Sequence, residues 1–336
     1  MRAIQNRAVY TLYIGRMERL TLPALSQTTA ASLAGLSEQT ARYVEAGLQG
    51  APNTAKAYAS DLRHYSHWCQ ANQVVPLPAT VDTLAGYVTY LAEAGKKVAT
   101  IQRHLSAIKK AHVLRGLACP TDNAQFKVLL DGISRVHGIR QKQAPAFTLN
   151  QLKQLVRALD TDTVTGLRDR AILLLGFTGA FRRSELAALN VEDLRFTEDC
   201  VIVSLARSKT NQLGQHEEKA IFYSPEAKVC PIRSLQAWLR QLGCESGPVF
   251  VSLRKGERLT QARLSDKSIN AVVQRYLGPE YSAHSLRASF VTVAKLAGAD
   301  DSEVMNQTKH KTSAMIRRYT RIDDVRQHNA AQKLGL

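Results

Sequence analysis

The sequence holds no Cys-x-x-Cys pair: its five cysteines, Cys69, Cys119, Cys200, Cys230 and Cys244, are odd in number and far apart. Neither a disulfide framework nor a zinc site is indicated, and a reducing cytoplasm suits this usage. Long apolar runs are missing as well. The most apolar stretch, Ala171 to Phe177, is far too short to cross a bilayer and reads as a buried helix, so no membrane partner is expected. The first residues, Met1 to Arg7, lack the apolar core of a signal peptide, and no internal repeat is visible. Asp300-Asp301 and Asp323-Asp324 each precede a helical run, where N-capping is the simpler explanation. Neither pair has the Asp, Glu and His company that a two-metal nuclease needs, so no metal and no other cofactor is expected.

Positive charge is what the chain has in excess. Its 336 residues are too many for one average core and imply two domains. The formal charge is +17, with 17 Lys and Arg against 8 Asp and Glu in residues 1–145 and 28 against 20 in residues 146–336. An excess spread over both halves fits two basic domains on one polyanion, because each neutralised phosphate releases condensed counterions.

Residues 1–52, rich in Ala, Ser, Thr and Gln, read as an N-terminal arm. A helix over about 54–71 follows, with Asn53 or Thr54 as its N-cap. Its spacing sets Lys56, Ser60, Arg63 and His67 on one face and Tyr58, Leu62, Tyr65 and Cys69 on the opposite, core-facing side; Asp61 falls at the edge of the polar face. A second helix spans 82–94 and ends at Gly95. From Ala94 to Thr121 there is no carboxylate at all, while Lys96, Lys97, Arg103, Lys109, Lys110 and Arg115 occur. Ile101, Leu105 and Ile108 make the core face there, and Arg103 and Lys110 point away from it, which suits a DNA-contacting helix. Gly138 to Pro145, with Arg140 and Lys142, reads as a basic linker crossing the duplex backbone. Beyond it, Thr148 caps a helix, Arg168 to Phe177 forms a buried one, and Thr178-Gly179-Ala180 turns the chain into Arg182. Alternation marks strands at Cys200–Leu205 and Lys219–Tyr223 around a polar loop, and the remainder reads as helical, with turns at Pro231, Gly243, Gly256 and Gly278.

One set of residues points to chemistry. Arg182 and Glu185, Lys209, His284 and Arg287, then His310 and Tyr319 supply guanidinium, imidazole, ammonium and phenol groups in order along the chain. A phosphodiester repels nucleophiles and gains negative charge in its transition state, so a protein without metal must supply fixed cations and donors. Arg182 and Arg287 can each offer a planar fork to the non-bridging oxygens, with His310 as a third donor. Removing one such donor costs on the order of 3–4 kcal/mol in the barrier. Tyr319 must lose its proton to attack, with His284 as base; the leaving oxygen must gain one, with Lys209 as acid and Lys219 as its nearby rival. Glu185, one helical turn from Arg182, can support that arginine or His284.

Thr178 to Leu186, with its Arg-x-x-Glu, resembles the first signature box of the tyrosine site-specific recombinases, the phage integrase family. His284-x-x-Arg287 resembles the second box, His310 with Tyr319 its completion, and Lys209 the family's hairpin lysine. With Trp68-Cys69 and Thr100 to Leu105, the chain resembles most the Cre recombinase branch, over residues 53–336. The resemblance implies a mainly α fold with a small antiparallel β-sheet, arranged as a two-domain C-shaped DNA clamp. Residues 1–52 would be the arm, 53–140 a helical, SAM-like core-binding domain, and 147–336 the catalytic domain. It implies a cytoplasmic bacterial or phage enzyme, nucleoid-associated, that cuts and rejoins double-stranded DNA through a 3′-phosphotyrosine. It also implies a homo-oligomer on DNA, a dimer per site and a tetramer in synapsis, with a C-terminal helix (Val325, Ala330, Leu334) docking into a neighbour. A type IB topoisomerase-like nicking-closing enzyme and a non-catalytic DNA-binding protein of the same fold are the alternatives. The family usually places a small residue, often Gly, before the second histidine; Thr308-Lys309 stands there instead, which implies a shifted turn in front of His310.

Overall fold

The computed structural model describes residues 51–139, 145–205 and 217–317. The chain divides into two compact units, residues 1–141 and 142–336.

The described part of the first unit is a helical bundle of α1 (Pro52–Ala71), α2 (Val81–Glu93), α3 (Val98–Val113) and α4 (Ala124–His137). Local chemistry sets each start. Proline at the first position opens α1 after Ala51, so neither Asn53 nor Thr54 is its cap, because a proline's fixed φ and missing N–H suit that first turn. The Thr80 hydroxyl accepts from Thr83 N at α2, and Asn123 accepts from Gln125 N and Phe126 N at α4. The core is built where helical spacing put it: Leu62, Tyr65 and Cys69 from α1 meet Leu84, Tyr87 and Leu91 from α2 and Ile101, Leu105 and Ile108 from α3.

The expected polar face of α1 is exposed at Lys56, Ser60, Arg63 and His67, but Asp61 is not at its edge. It is buried, accepting Arg103 Nε at 2.8 Å and Nη2 at 2.9 Å, with His104 Nε2 at 3.2 Å. His104 Nδ1 in turn meets the Tyr87 hydroxyl at 2.8 Å, which meets His64 Nδ1 at 2.8 Å. One hydrogen-bonded chain thus ties three helices together, and a carboxylate buried in this way is tolerable because two partners satisfy it.

The second unit begins with α5 (Leu149–Ala158), started by a capping box between Thr148 and Gln151. Then come α6 (Val164–Thr178), which runs through the core, and the short α7 (Arg183–Ala188). A three-stranded antiparallel sheet follows, ordered β1 (Leu194–Phe196), β2 (Cys200–Leu205), β3 (Glu217–Phe222). After α8 (Pro231–Leu242) there is a hairpin of β4 (Val251–Arg254) and β5 (Arg258–Arg263), then α9 (Asp266–Leu277), α10 (Ala283–Leu296), α11 (Asp301–Thr308) and α12 (Ser313–Arg317). Strands β2 and β3 match expectation, whereas β1 and the second hairpin do not. The stretch read as helical turns at Gly256, with φ +75, between two strands. β5 alternates too little to be legible, since both its ends and most of its side chains face solvent.

Close packing brings α10 against α6. A Cβ on Gly176 would lie 2.7 Å from Leu286 Cδ1 and 3.1 Å from Leu186 Cδ2, so a larger residue would have to displace both leucine methyls. That contact sets α10, which carries His284 and Arg287, beside the turn after α6, which leads to Arg182.

Candidate active site

The turn Gly179–Ala180 is the site's foundation. A Cβ on Gly179 would fall 2.2 Å from the Phe181 ring, and Ala180 itself sits at φ +45. This bend ends α6 and aims the Ala180 carbonyl at two cations. Arg287 Nη1 donates to it at 2.6 Å, and Lys219 Nζ donates to it at 3.2 Å and to the Gly179 carbonyl at 2.8 Å. Arg287 is only 1% exposed and also donates, through Nη2, to the Thr308 carbonyl at 2.5 Å. Two main-chain oxygens from the ends of α6 and α11 therefore fix one guanidinium in place.

Arg182 occupies the N-cap of α7, and Glu185 at the third helical position reaches back to it. The carboxylate accepts the Arg182 backbone N–H at 2.9 Å and its Nη1 at 2.5 Å. Glu185 is buried, and Lys219 Nζ lies 3.6 Å from Oε2, the oxygen that accepts the Arg182 backbone N–H. Burial opposes ionisation of Glu185, but Lys219 and Arg182 outweigh it and hold the carboxyl below its usual range. Burial, then the Arg287 and Arg182 charges, pull the Lys219 ammonium down to about 7 against the opposing pull of Glu185.

His310 closes the cluster. Asp300 caps α11 by accepting Glu303 N at 2.8 Å, as its place before a helical run suggested. The helix ends at Lys309, whose φ of +56 and ψ of +39 are the left-handed geometry of a C-terminal cap. The lysine thus adopts the conformation a glycine would supply, and the turn that resemblance put in question is of the ordinary capping kind. It delivers His310 into a buried position with Nδ1 2.9 Å from the Thr308 hydroxyl, which lies 2.7 Å from the Val304 carbonyl. Burial first, then the charges of Arg287, Arg182, His284 and Lys219, push the His310 pKa down to about 3, so the ring is neutral near pH 7. His284, in the first turn of α10, is exposed and close enough to be felt by His310.

Four of the sequence-derived site residues, Arg182, Glu185, Arg287 and His310, therefore lie within electrostatic reach of Lys219, with His284 at the margin. Lys209 and Tyr319 lie outside the described residues, as do Arg140 and Lys142. Sequence reasoning missed the part played by Lys219 and Thr308. The signal for Lys219 was its place on the inward face of β3, opposite Val203, where an aliphatic side chain belongs. In the first unit Lys56, Arg63, His67, Lys96, Lys97 and Arg103 are exposed, while Lys110 is half-buried. Two of the basic residues carry carboxylate partners from outside their acid-free stretch: Arg103 holds Asp61, and Lys109 meets Asp122 at 2.9 Å. Among the described residues no three His, Cys, Asp or Glu side chains are grouped as metal ligands, and no helix is long and apolar enough to cross a membrane.

Comparison with known proteins gives these features a family. Residues 145–326 match the phage integrase family, and residues 38–114 match the phage integrase N-terminal SAM-like domain. The chain is 36% identical over 293 residues to an integrase/recombinase xerD homolog of Selenomonas ruminantium, covering 84% of this chain and 86% of that protein. It is 26% identical over 280 residues to recombinase cre of Escherichia phage P1, covering 75% and 79%, so the likeness to Cre is present but distant. In fold it is similar to the XerH site-specific recombinase bound to a palindromic difH substrate (TM-score 0.64, 17% identity, 97% of this chain and 96% of that one). It is also similar in fold to a lambda integrase dimer bound to a COC′ core site (TM-score 0.51, 17% identity, 80% and 90%). With a family match over more than half its length and a relative above 30% identity over most of it, the chain belongs to the phage integrase family and is a tyrosine recombinase.

Proposed function

We propose that this recombinase cuts and rejoins duplex DNA at a specific site through a covalent link between Tyr319 and a 3′ phosphate, using neither metal nor ATP. The Tyr319 oxygen attacks the phosphorus, its proton passing to His284, and the bond to the 5′ oxygen breaks as that oxygen takes a proton from Lys209. A 5′-hydroxyl from another strand reverses the same steps, because the phosphotyrosine conserves the energy of the ester it replaced. Arg182 and Arg287 bind the non-bridging oxygens, and His310 donates to one of them from Nε2 once the anionic phosphate has drawn a proton onto the ring.

The observation that carries this reading is the gathering of Arg182, Glu185, Arg287 and His310 into one buried cluster with both guanidinium groups held in place. Fixed cations of this kind act on a transition state without reorganising, which is the largest lever a metal-free phosphoryl transfer has. The enclosure of the Lys219 ammonium by two carbonyls and a carboxylate favours Lys209 as the acid.

On the binding side, Lys56, Arg63, His67, Lys96, Lys97, Arg103, Lys109 and Lys110 would meet the phosphates of one face of the duplex, and Arg140 and Lys142 would follow its backbone. The alternatives, nicking and closing alone or binding without cleavage, are not favoured. Assembly into a dimer per site and a tetramer in synapsis would use the apolar groove of 1210 Å³ whose lining includes Leu152, Phe177, Phe222 and Phe290. Its occupant in this reading is the Val325–Leu334 segment of a second copy.

The test is a target duplex with a nick just beyond the scissile phosphate, which lets the short fragment bearing the freed 5′-hydroxyl diffuse away and traps the adduct. The wild-type chain is expected to become covalently attached, and Tyr319→Phe to bind the same DNA without attaching. An adduct formed by the Phe variant would assign the nucleophile elsewhere.

A further inference from the structure

Strand β3 alternates as an amphipathic strand should, with Glu218 exposed and Ile221 buried, but two of its side chains are on the unexpected face. Lys219 points inward between β2 and the Gly179–Ala180 turn, while Phe222 is exposed. A charged group in an aliphatic position costs desolvation energy that neighbouring residues must offset. Glu185 does not need it for that purpose, because Arg182 already meets the carboxylate through both its main chain and its side chain. The Lys219 side chain is 0% exposed, donates to the Gly179 and Ala180 carbonyls, lies 3.6 Å from Glu185 and stands 4.6 Å over the Phe181 ring.

These contacts join two halves of the phosphate cage. Glu185 belongs to Arg182, and the Ala180 carbonyl belongs to Arg287. Lys219 contacts both Glu185 and that carbonyl. We propose that Lys219 is a positioning residue for the phosphate site, its buried ammonium fixing the separation of the Arg182 and Arg287 guanidinium groups and adding a third cation behind them. Three cations less one carboxylate leave the cluster at +2, which complements the charge a phosphodiester gains on attack. The inference rests on the phosphate-cage reading above.

Such a role is visible in pH dependence. The charged groups facing Lys219 are Arg182 and Glu185 at the start of α7 and Arg287 on α10; Lys219 in turn also lowers His310, and Glu217 and Glu218 are the other charges on its own strand. The ammonium is present at low pH and is lost as pH rises past about 7, or higher once an anionic phosphate sits in front of it. Any advantage of lysine over an uncharged side chain should follow the same course.

The experiment compares full-length wild type with Lys219→Met, and with Lys219→Gln as a second neutral variant, on the nicked duplex from pH 6 to pH 9. Melting curves verify folding, and gel shifts give DNA affinity. Wild type must first form the adduct; if it forms none, the cage reading fails and not this one. With adduct formation established, the neutral variants are expected to bind DNA within about threefold of wild type. They should form the adduct about 100-fold more slowly at pH 6.5, the scale on which small displacements of aligned groups act. The ratio of wild-type to variant rates should then shrink toward pH 9. A ratio near one throughout overturns the proposal. So does a large ratio that stays flat with pH, since loss of packing alone has no titration.

Discussion

Replacing Thr308 by valine removes one hydroxyl and nothing else of comparable size, which makes it a sharp test of how His310 is held. Thr308 is fully buried; its hydroxyl lies between the Val304 carbonyl and His310 Nδ1, and its main-chain carbonyl holds Arg287. The hydroxyl has one proton. It goes to the Val304 carbonyl, which can only accept, so the hydroxyl accepts from His310 Nδ1–H and Nε2 of the neutral ring carries no proton. Valine leaves Nδ1 without that partner, at a cost of about 1–3 kcal/mol, against which the new methyl returns about 1 kcal/mol. A net loss of about 1 kcal/mol lowers the melting temperature by roughly 2–4 °C in a unit of this size. The catalytic effect is larger: without the hydroxyl that accepts from Nδ1–H, the ring loses the bond that aims Nε2, which should slow adduct formation about 10- to 100-fold, part of what deleting a donor outright would cost. Thr308→Ser supplies the control, because it keeps the hydroxyl and loses a methyl worth about 1 kcal/mol. The two variants should therefore melt alike and cleave differently, the serine within about threefold of wild type. Equal cleavage by serine and valine variants would refute the reasoning.

Two further expectations concern the same corner of the molecule. Lys309→Gly should raise stability slightly, by about 0.5 kcal/mol, because glycine adopts the left-handed cap without the steric cost a lysine meets, less its greater freedom when unfolded; a lower melting temperature would count against the strain argument. His310 should make the protein acid-sensitive in a defined window. Its folded pKa of about 3 lies below the ordinary 6.5, so the unfolded chain takes up the proton first and stability falls as pH drops from 6.5 toward 3. Chemical denaturation at a series of pH values should show His310→Asn flattening that decline; parallel curves for variant and wild type would place the histidine's burial elsewhere.

Much of the fold was legible because single elements carry strong local signals. The helical spacing of Leu62, Tyr65 and Cys69 is the core face of α1, the Thr148 cap starts α5, and alternation gives β2 and β3. What escaped had its cause in tertiary structure. Strand β1 is three residues long and mostly solvent-facing, and it is held by pairing with β2 across Leu194–Val203, not by any pattern of its own. Asp61 looked like a surface carboxylate by helical angle, yet Arg103 and His104, some forty residues on, draw it inward. Periodicity assigns a face to a residue; it cannot supply the partner that makes burial of its charge tolerable.

The site divides along the same line. Arg182, Glu185, Arg287 and His310 could be named because their types and order suit one chemistry, and each projects from an element whose start or end is locally encoded. The residues that hold them could not be named so. Ala180 holds Arg287 through a main-chain oxygen, which every residue has; Thr308 adds a hydroxyl to such an oxygen; and Lys219 acts through an amine whose inward place on β3 gives its position but not its partners. A chain at +17 hides one more lysine well. Burial separates the two classes: a lysine that meets DNA must keep its ammonium in water until the phosphate arrives, whereas one that gives up water beforehand must have fixed acceptors waiting. Lys219 has two carbonyls and a carboxylate in place, so its charge serves the guanidinium groups beside it and not a phosphate of its own.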